Sequence, residues 1–220
     1  MHMYIKALFK VAGKYAPSRS ISFDIVHIFK TLQLIEDRGH VSRGLLSKEL
    51  ALGGGIVKTL VKHLKMQAMI QTTKSGTKMT DKGRLIYSHL RSSIPDELNV
   101  PKCSVALGKF NYAVLLKQFN FAIKSGIEQR DAAIKMGAKG ATTLLYKEGR
   151  FVMPSTKGTF DPLHAEPQIH KLLNNRLQYI EDGDAIIIGS DDVSKKRAEL
   201  AAKSAALLTI MNHEKHDARF

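Results

Sequence analysis

The pattern of hydrophobic positions between residues 41 and 66 predicts two short helices joined by a turn. In the first helix, Leu46 and Leu50 lie four residues apart, which is the spacing of one buried helix face. In the second helix, apolar residues recur at spacings of three and four, at Val57, Leu60, Val61 and Leu64. Lysines occupy the remaining surface of this helix. The arrangement is typical of a helix-turn-helix whose second helix carries hydrogen-bond donors outward.

The next residues predict a two-stranded hairpin and a closing helix. A β-prone run, the turn Ser75-Gly76 and a returning segment favour a hairpin over residues 69–79. Thr80 or Asp81 can then cap the closing helix. The predicted core of the whole region consists of Ile28, Leu32, Leu46, Leu50, Val57, Leu60, Leu64, Ile70 and Leu85.

Two further helical patterns precede this region. Residues 22–38 predict a strongly amphipathic helix, and Gly39 follows it as a stop signal. Residues 1–20 predict a helical arm that ends at Pro17. We therefore expect residues 1–92 to form one domain with an N-terminal arm.

The pattern changes after residue 92. Residues 93–101 contain two prolines and show no periodicity, which predicts a linker or an ordered crossover. Residues 102–212 predict a mixed α/β domain, followed by a charged tail at 213–220. The predicted strands span 103–107, 111–116, 141–146, 150–153 and 185–188, and the predicted helices span 127–136, 167–179 and 194–211. The segment 111–116 also fits a helix.

The N-terminal segments LLSKELALGGGIVKTLVKHLK and MIQTTKSGTKMTDKG resemble the winged-helix DNA-binding domains of prokaryotic transcription regulators. This resemblance implies an α+β protein, with a winged helix-turn-helix followed by the mixed α/β domain. One departure is Ala51, which stands at a turn position where such domains often have glycine. A left-handed backbone there costs alanine about 1 kcal/mol more than glycine.

A wider resemblance covers nearly the whole chain. The segments SISFDIVHIFKTLQLI, LALGGGIVKTLVKHLK and GIEQRDAAIKMGAKGATTL are together similar to an archaeal family. Its members join an N-terminal winged helix to an uncharacterised C-terminal domain. The resemblance implies a transcription regulator and leaves its ligand open.

Positive charge is concentrated in the predicted helix-turn-helix region. The chain carries a net charge of +14, and residues 39–92 hold ten Lys or Arg against two acids, or +8 of that excess. Such clustering is expected of a protein that binds a polyphosphate. A general role of the basic surface in solubility is the alternative.

The candidate DNA contacts lie on the outward face of the predicted motif. Lysine and arginine neutralise phosphates, hydroxyl groups add hydrogen bonds, and glycines expose backbone N–H groups at the helix start. The glycine run also fits a simple flexible turn. The candidates are Ser42, Arg43, Lys48, Gly54, Gly55, Lys58, Thr59, Lys62, His63, Lys65, Lys74 and Lys78.

Polar residues of the second domain suggest a binding site for a small molecule. Arg130 can hold a carboxylate or phosphate, and neighbouring threonines can add hydrogen bonds. The alternatives are an ion pair between Arg130 and Asp131 and capping of the last helix by the acids that precede it. The candidates are Glu128, Gln129, Arg130, Asp131, Thr142, Thr143, Asp191 and Asp192.

Other chemistry has little support in the sequence. The single Cys103 excludes an intramolecular disulfide and fits a reducing compartment, so a cytoplasmic location is expected. Apolar runs are too short to span a membrane. Histidines lack the partners of a metal site, and catalytic motifs are missing, so no metal, cofactor or enzymatic activity is expected.

These observations and the resemblance predict a sequence-specific transcription regulator that binds double-stranded DNA, most simply as a homodimer. Its second domain would sense a small-molecule effector or mediate dimerisation. An alternative is an enzyme that acts on a nucleotide or phosphate-bearing small molecule and carries a winged-helix module. A third interpretation makes the winged helix a protein-interaction module.

Overall fold

The computed structural model describes residues 2–13, 22–154, 160–177 and 179–212. The chain divides into two compact units, Met1–Arg91 and Ser92–Phe220. The described residues form a mixed α/β protein with eight α-helices and two β-sheets. The predicted end of the N-terminal arm, around Pro17, and the predicted tail at 213–220 lie outside the described residues.

The first unit contains helices and one hairpin, in the predicted order. Its two strands pair antiparallel, from Ile70 opposite Met79 to Thr73 opposite Gly76. The elements are α1 (His2–Val11), α2 (Ile25–Arg38), α3 (Arg43–Leu50), α4 (Gly54–Met66), β1 (Ile70–Thr73), β2 (Gly76–Met79) and α5 (Asp81–Ser93).

Local capping sets the ends of α2 and α3. Helix α2 begins at Ile25, later than predicted, because Asp24 and His27 cap each other's backbone at its start. It ends at Gly39, whose φ of 73° suits glycine. Helix α3 starts after Ser42 and ends at Ala51, which adopts the left-handed conformation with φ 54° and ψ 36°.

The core of the first unit matches the predicted core except at Leu85. That side chain is 53% exposed, whereas Ile86 and Leu90 of the same helix are buried. The reason is the close approach of α5 to the hairpin at Gly83, where an added Cβ would lie 2.1 Å from the Met69 carbonyl oxygen. This contact turns the face of Gly83, Ile86 and Leu90 inward and leaves Leu85 outside.

The second unit is built on a five-stranded antiparallel sheet with the order β3-β4-β7-β5-β6. Helix α8 packs on one face of the sheet, while Leu173 of α7 and Leu177, just after that helix, belong to the core on the other face. The elements are β3 (Glu97–Val100), β4 (Phe110–Leu116), α6 (Ile127–Lys135), β5 (Gly140–Lys147), β6 (Arg150–Val152), α7 (Pro167–Arg176), β7 (Ala185–Asp191) and α8 (Lys195–Asn212).

Two predictions for the second unit need correction. The segment 93–101, predicted as a linker or crossover, contains strand β3, which pairs with β4 at the edge of the sheet. The segment 103–107, predicted as a strand, makes only an isolated bridge between Cys103 and Ala106. The ambiguous segment 111–116 is a strand, because β3 and β7 pair with its two edges.

Small residues allow α8 to approach the sheet closely, as its alanine-rich sequence predicts. Ala198, Ala201 and Ala202 are buried in this contact. Gly189 of β7 lies directly beneath the helix, and an added Cβ there would be 2.3 Å from the Ala198 carbonyl oxygen. A side chain at this position would therefore push the helix away from the sheet.

Candidate nucleic-acid interface

A groove of about 820 Å³ lies between the start of α3, the outer face of α4 and the hairpin. Among the described residues that line it, five are basic and none is acidic. The basic residues are Arg43, Lys58, Lys62, Lys65 and Lys74. The structure thus brings together, in one concave surface, residues that the sequence spreads over more than thirty positions.

Helix α4 supplies three of these cations because its two faces differ. Its apolar residues at three-and-four spacing point into the core, with Leu60 and Leu64 fully buried. Lys58, Lys62 and Lys65 follow the opposite face at the same spacing and are exposed. The hydrophobic contacts therefore fix the direction in which the ammonium groups point.

The start of α3 forms one edge of the groove. The Ser42 hydroxyl oxygen accepts a hydrogen bond from the Leu45 N–H at 3.1 Å and so caps the helix. Arg43, the first residue of the helix, is exposed beside it. Ser42 and Arg43 both line the groove.

The glycine run at the start of α4 is exposed, and neither its backbone conformation nor its described surroundings require glycine. Gly53 stands at the cap position without a side-chain hydrogen bond to the helix. An added Cβ at Gly53, Gly54 or Gly55 would meet nothing within 4 Å, and none of the three has a positive φ. The nearby Thr59 hydroxyl donates to the Gly55 carbonyl oxygen at 3.1 Å. The N–H groups at this helix end are thus accessible from solvent.

The two hairpin lysines that were predicted to contact DNA, Lys74 and Lys78, lie on different surfaces. Lys74 lines the basic groove, whereas Lys78 lines a separate pocket of about 610 Å³. That pocket also contains Glu36 and Arg84, which form an ion pair at 2.8 Å. Lys78 therefore does not share the groove, and the groove instead gains Thr72 and Thr73 of β1. The sequence did not indicate these threonines, because strand alternation would place two consecutive residues on opposite faces.

His63 is not available to contact DNA, contrary to prediction. Its side chain is buried, with Nδ1 2.9 Å from the Val11 carbonyl oxygen of α1. The Phe23 ring packs edge-on against it at 5.5 Å. The sequence alone could not show that α1 covers this side of α4. Lys48, another predicted contact, is exposed but lies outside the groove.

The predicted ligand residues on α6 and β5 have several separate roles. Gln129 is buried, and its amide donates to the Thr209 hydroxyl of α8 at 2.8 Å. Arg130 and Asp131 form an ion pair at 3.0 Å and are about half exposed. Glu128 is exposed, Thr142 is half-buried and Thr143 is buried. The contact made by Gln129 is structural, which corrects its assignment to a binding site.

The two acids after β7 are also bonded to the protein itself. The buried Asp191 accepts from the Val193 and Ser194 N–H groups at 3.1 and 2.7 Å, so it orders the turn that leads into α8. Asp192 forms an ion pair with Lys139 at 3.0 Å, and this bond holds the pKa of the carboxyl below its usual value. The side chain that caps the helix is that of Ser194, whose hydroxyl accepts from the Arg197 N–H at 3.4 Å, so the capping interpretation does not describe Asp191.

A buried ion cluster in the second unit was not predicted. Lys203 of α8 is completely buried, with its Nζ 3.1 Å from Glu97 and bonded also to Glu199. The Tyr112 ring centroid lies 5.5 Å from the same nitrogen. A lysine one turn after a glutamate on a mostly apolar helix was the only sequence signal.

Neither a cluster of metal ligands nor a membrane-spanning helix occurs among the described residues. Residues 2–13, 22–154, 160–177 and 179–212 contain no group of three or more His, Cys, Asp or Glu that could hold a metal ion. Within the same ranges, no helix is both long and apolar enough to cross a membrane. Burial raises the pKa of the half-buried Cys103 thiol, which keeps it protonated.

Comparisons with known proteins find likeness in sequence and in structure. A family model described as "Domain of unknown function (DUF4443)" matches residues 107–210, within the second unit. The chain is also similar to "Hypothetical protein PH0730 from Pyrococcus horikoshii OT3", with 27% identity and a TM-score of 0.67. That similarity covers 88% of this chain and 95% of the other. Among curated proteins, none matches the chain. The likeness to an archaeal protein agrees with the archaeal resemblance seen in the sequence.

Proposed function

We propose that the first unit is a winged helix that binds double-stranded DNA, and that the chain is a sequence-specific transcription regulator. The observation that carries this proposal is the groove whose described lining residues include five cations and no carboxylate. A surface of this kind favours polyanions, because each neutralised phosphate releases counterions. The order of helices α2, α3 and α4, then the hairpin and then helix α5, supports the winged-helix interpretation.

In this proposal α4 enters the major groove of the DNA. Lys58 and Lys62 lie on its exposed face, where they reach phosphates or guanine acceptors. Arg43 and Ser42 hold the backbone from the start of α3, and Lys74 does so from the hairpin. Lysine serves phosphates more readily than bases, so shape and backbone contacts carry much of the affinity.

In this proposal, the second unit senses a small-molecule effector or mediates dimerisation. One winged helix buries little surface on DNA, so two copies on paired half-sites would raise affinity and specificity. A homodimer with this arrangement responds to an effector when ligand binding changes the spacing of its DNA-binding units. Five of the predicted ligand residues remain at least partly exposed: Glu128, Arg130, Asp131, Thr142 and Asp192.

The test is binding to genomic DNA fragments across a salt series, with Lys58→Ala/Lys62→Ala beside the wild type. We expect the double variant to bind at least about ten-fold more weakly, and its salt slope to be shallower by about two units. Lys124→Ala/Lys171→Ala removes the same charge from exposed positions of the second unit and should bind like the wild type.

Two results would contradict the proposal. One is DNA binding that is equally weak for all fragments and unchanged in Lys58→Ala/Lys62→Ala. The other is an equal loss of binding in the control variant, which would show that net charge matters and the groove does not.

A further inference from the structure

A second groove of the first unit, of about 480 Å³, has an apolar floor and a basic rim. It lies between α1 and α5, with the start of the hairpin beneath it. Met3, Leu85 and Met69 contribute to the apolar surface. Met3 is 71% exposed and Leu85 is 53% exposed. Large apolar side chains that face solvent together indicate an interaction surface.

The groove is a formed feature of the fold, because α1 is anchored on the unit beside it. Ile5, Leu8 and Val11 of α1 are buried. Tyr4 of α1 stacks on His89 of α5, with ring centroids 4.0 Å apart. Packing of the opposite face of α1 therefore holds its Met3 side towards the groove, and a partner need not reorganise the helix to bind.

The positive charges on the rim of the groove indicate an acidic partner. Lys6, Lys10 and Lys82 line the groove, and the part of the lining that the structure describes contains no carboxylate. A second copy of the chain placed face to face would bring these lysines against their own copies, which costs free energy through like-charge repulsion. A segment with carboxylates on both sides of an apolar stripe matches the groove in both properties.

We propose that this groove docks an acidic amphipathic helix from a partner protein. A groove between two helices accepts a third helix through apolar anchors at i, i+3, i+4 and i+7. Acidic residues beside those anchors would meet Lys6 and Lys10 on α1 and Lys82 on α5. The surface is separate from the basic groove of α4, and the proposal stands independently of DNA binding.

The test measures fluorescence anisotropy of a labelled peptide of about 16 residues with leucines at the anchor spacing and glutamates elsewhere. The full chain should bind it, and Lys82→Glu/Leu85→Glu should weaken binding at least about ten-fold. Val193→Glu is the control for Leu85, because Val193 is an exposed apolar residue of the second unit. Lys58→Ala/Lys62→Ala should leave peptide binding unchanged, which separates this groove from the candidate DNA surface.

Several outcomes would overturn the proposal. Equal binding of a peptide with lysines in place of glutamates would remove the role of the basic rim. Sedimentation that shows a wild-type dimer, converted to monomer by Lys82→Glu/Leu85→Glu, would identify a second copy as the occupant. Binding to vesicles of anionic lipid, lost in the same variant and without binding of the acidic peptide, would identify a membrane surface. Failure of the full chain to bind the acidic peptide would also overturn the proposal.

Discussion

At the scale of single residues, two alanines adopt a backbone conformation that suits glycine. Ala51 ends α3 with φ 54°, and Ala68, just after α4, has the same φ. Their Cβ atoms crowd the backbone in this region, which glycine avoids. Ala51 is exposed, so its side chain has no packing role that offsets the strain.

We expect Ala51→Gly to raise the free energy of unfolding by up to about 1 kcal/mol. Relief of strain outweighs the added freedom of glycine in the unfolded chain. Urea unfolding of the full chain measures the change. Ala132→Gly, in the ordinary helical backbone of α6, should lower stability by about 1 kcal/mol. A loss of stability in Ala51→Gly would contradict the assigned conformation.

His27 makes the first unit sensitive to pH. Its Nδ1 accepts a hydrogen bond from the Asp24 N–H at 2.9 Å, which requires a neutral ring. Burial lowers the pKa of His27 from its usual 6.5, despite the neighbouring Asp24 carboxylate. The unfolded chain therefore takes up this proton at a higher pH than the folded chain does.

The stability that neutral His27 contributes is present above pH 6.5 and is lost as the pH falls from there through the lower folded pKa. We expect His27→Gln to reduce this loss, because glutamine can accept the same hydrogen bond and does not titrate. Hydrogen exchange at the α2 amides across this pH range reports the effect locally. Identical pH profiles for the variant and the wild type would refute the role of His27.

At the scale of elements, α8 combines a close helix-on-sheet contact with a buried charge. Its alanines pack over Gly189, and farther along the helix the Lys203 ammonium lies between Glu97 and Glu199. Buried ion pairs stabilise little in total, but removal of one partner leaves the other charges without compensation. The cluster also joins edge strand β3 to the helix.

Lys203→Ala should lower the free energy of unfolding by about 3–5 kcal/mol, because it strands two carboxylates. Lys195→Ala removes an exposed lysine of the same helix and should change stability by about 0.5 kcal/mol or less. Replacing all three charges, in Lys203→Met/Glu97→Gln/Glu199→Gln, should recover much of the loss. Denaturant unfolding measures all three variants, and a mild effect of Lys203→Ala would contradict the burial of the cluster.

At the scale of the whole molecule, the chain separates a basic unit from an alanine-packed sheet unit. Residues 39–92 hold +8 of the total charge of +14. The contact pattern places the boundary between Arg91 and Ser92, although α5 continues to Ser93. Each unit has its own buried core.

We therefore expect overlapping fragments 1–93 and 92–220 to fold independently, because each keeps its own core. Far-ultraviolet circular dichroism and urea titration should show a cooperative transition for each fragment. A gradual, non-cooperative transition in either one would mean that the boundary is wrongly placed.

Much of the fold could be predicted from the sequence, and less of the candidate interface could. The helices around Leu46 and Leu60 and the central strand at Ile187 follow from local periodicity. Strand β3 was not predicted, because the short segment flanked by prolines shows no strand pattern of its own. Pairing with its partner strand β4 holds it in the sheet. Lys58 and Lys62 were identified from their helix face, whereas the inward orientation of His63 depends on α1, some fifty residues away.

The sequence by itself determined the order of the elements in the first unit, the apolar faces of α2, α3 and α4, and the concentration of charge in that unit. These are local properties, because side-chain periodicity and composition do not depend on how elements meet. Only the tertiary structure decided that Arg43, Lys62 and Lys74 share one groove, that Lys78 leaves it, and that Lys203 is buried. Those outcomes depend on contacts between elements far apart in the chain, which periodicity does not encode.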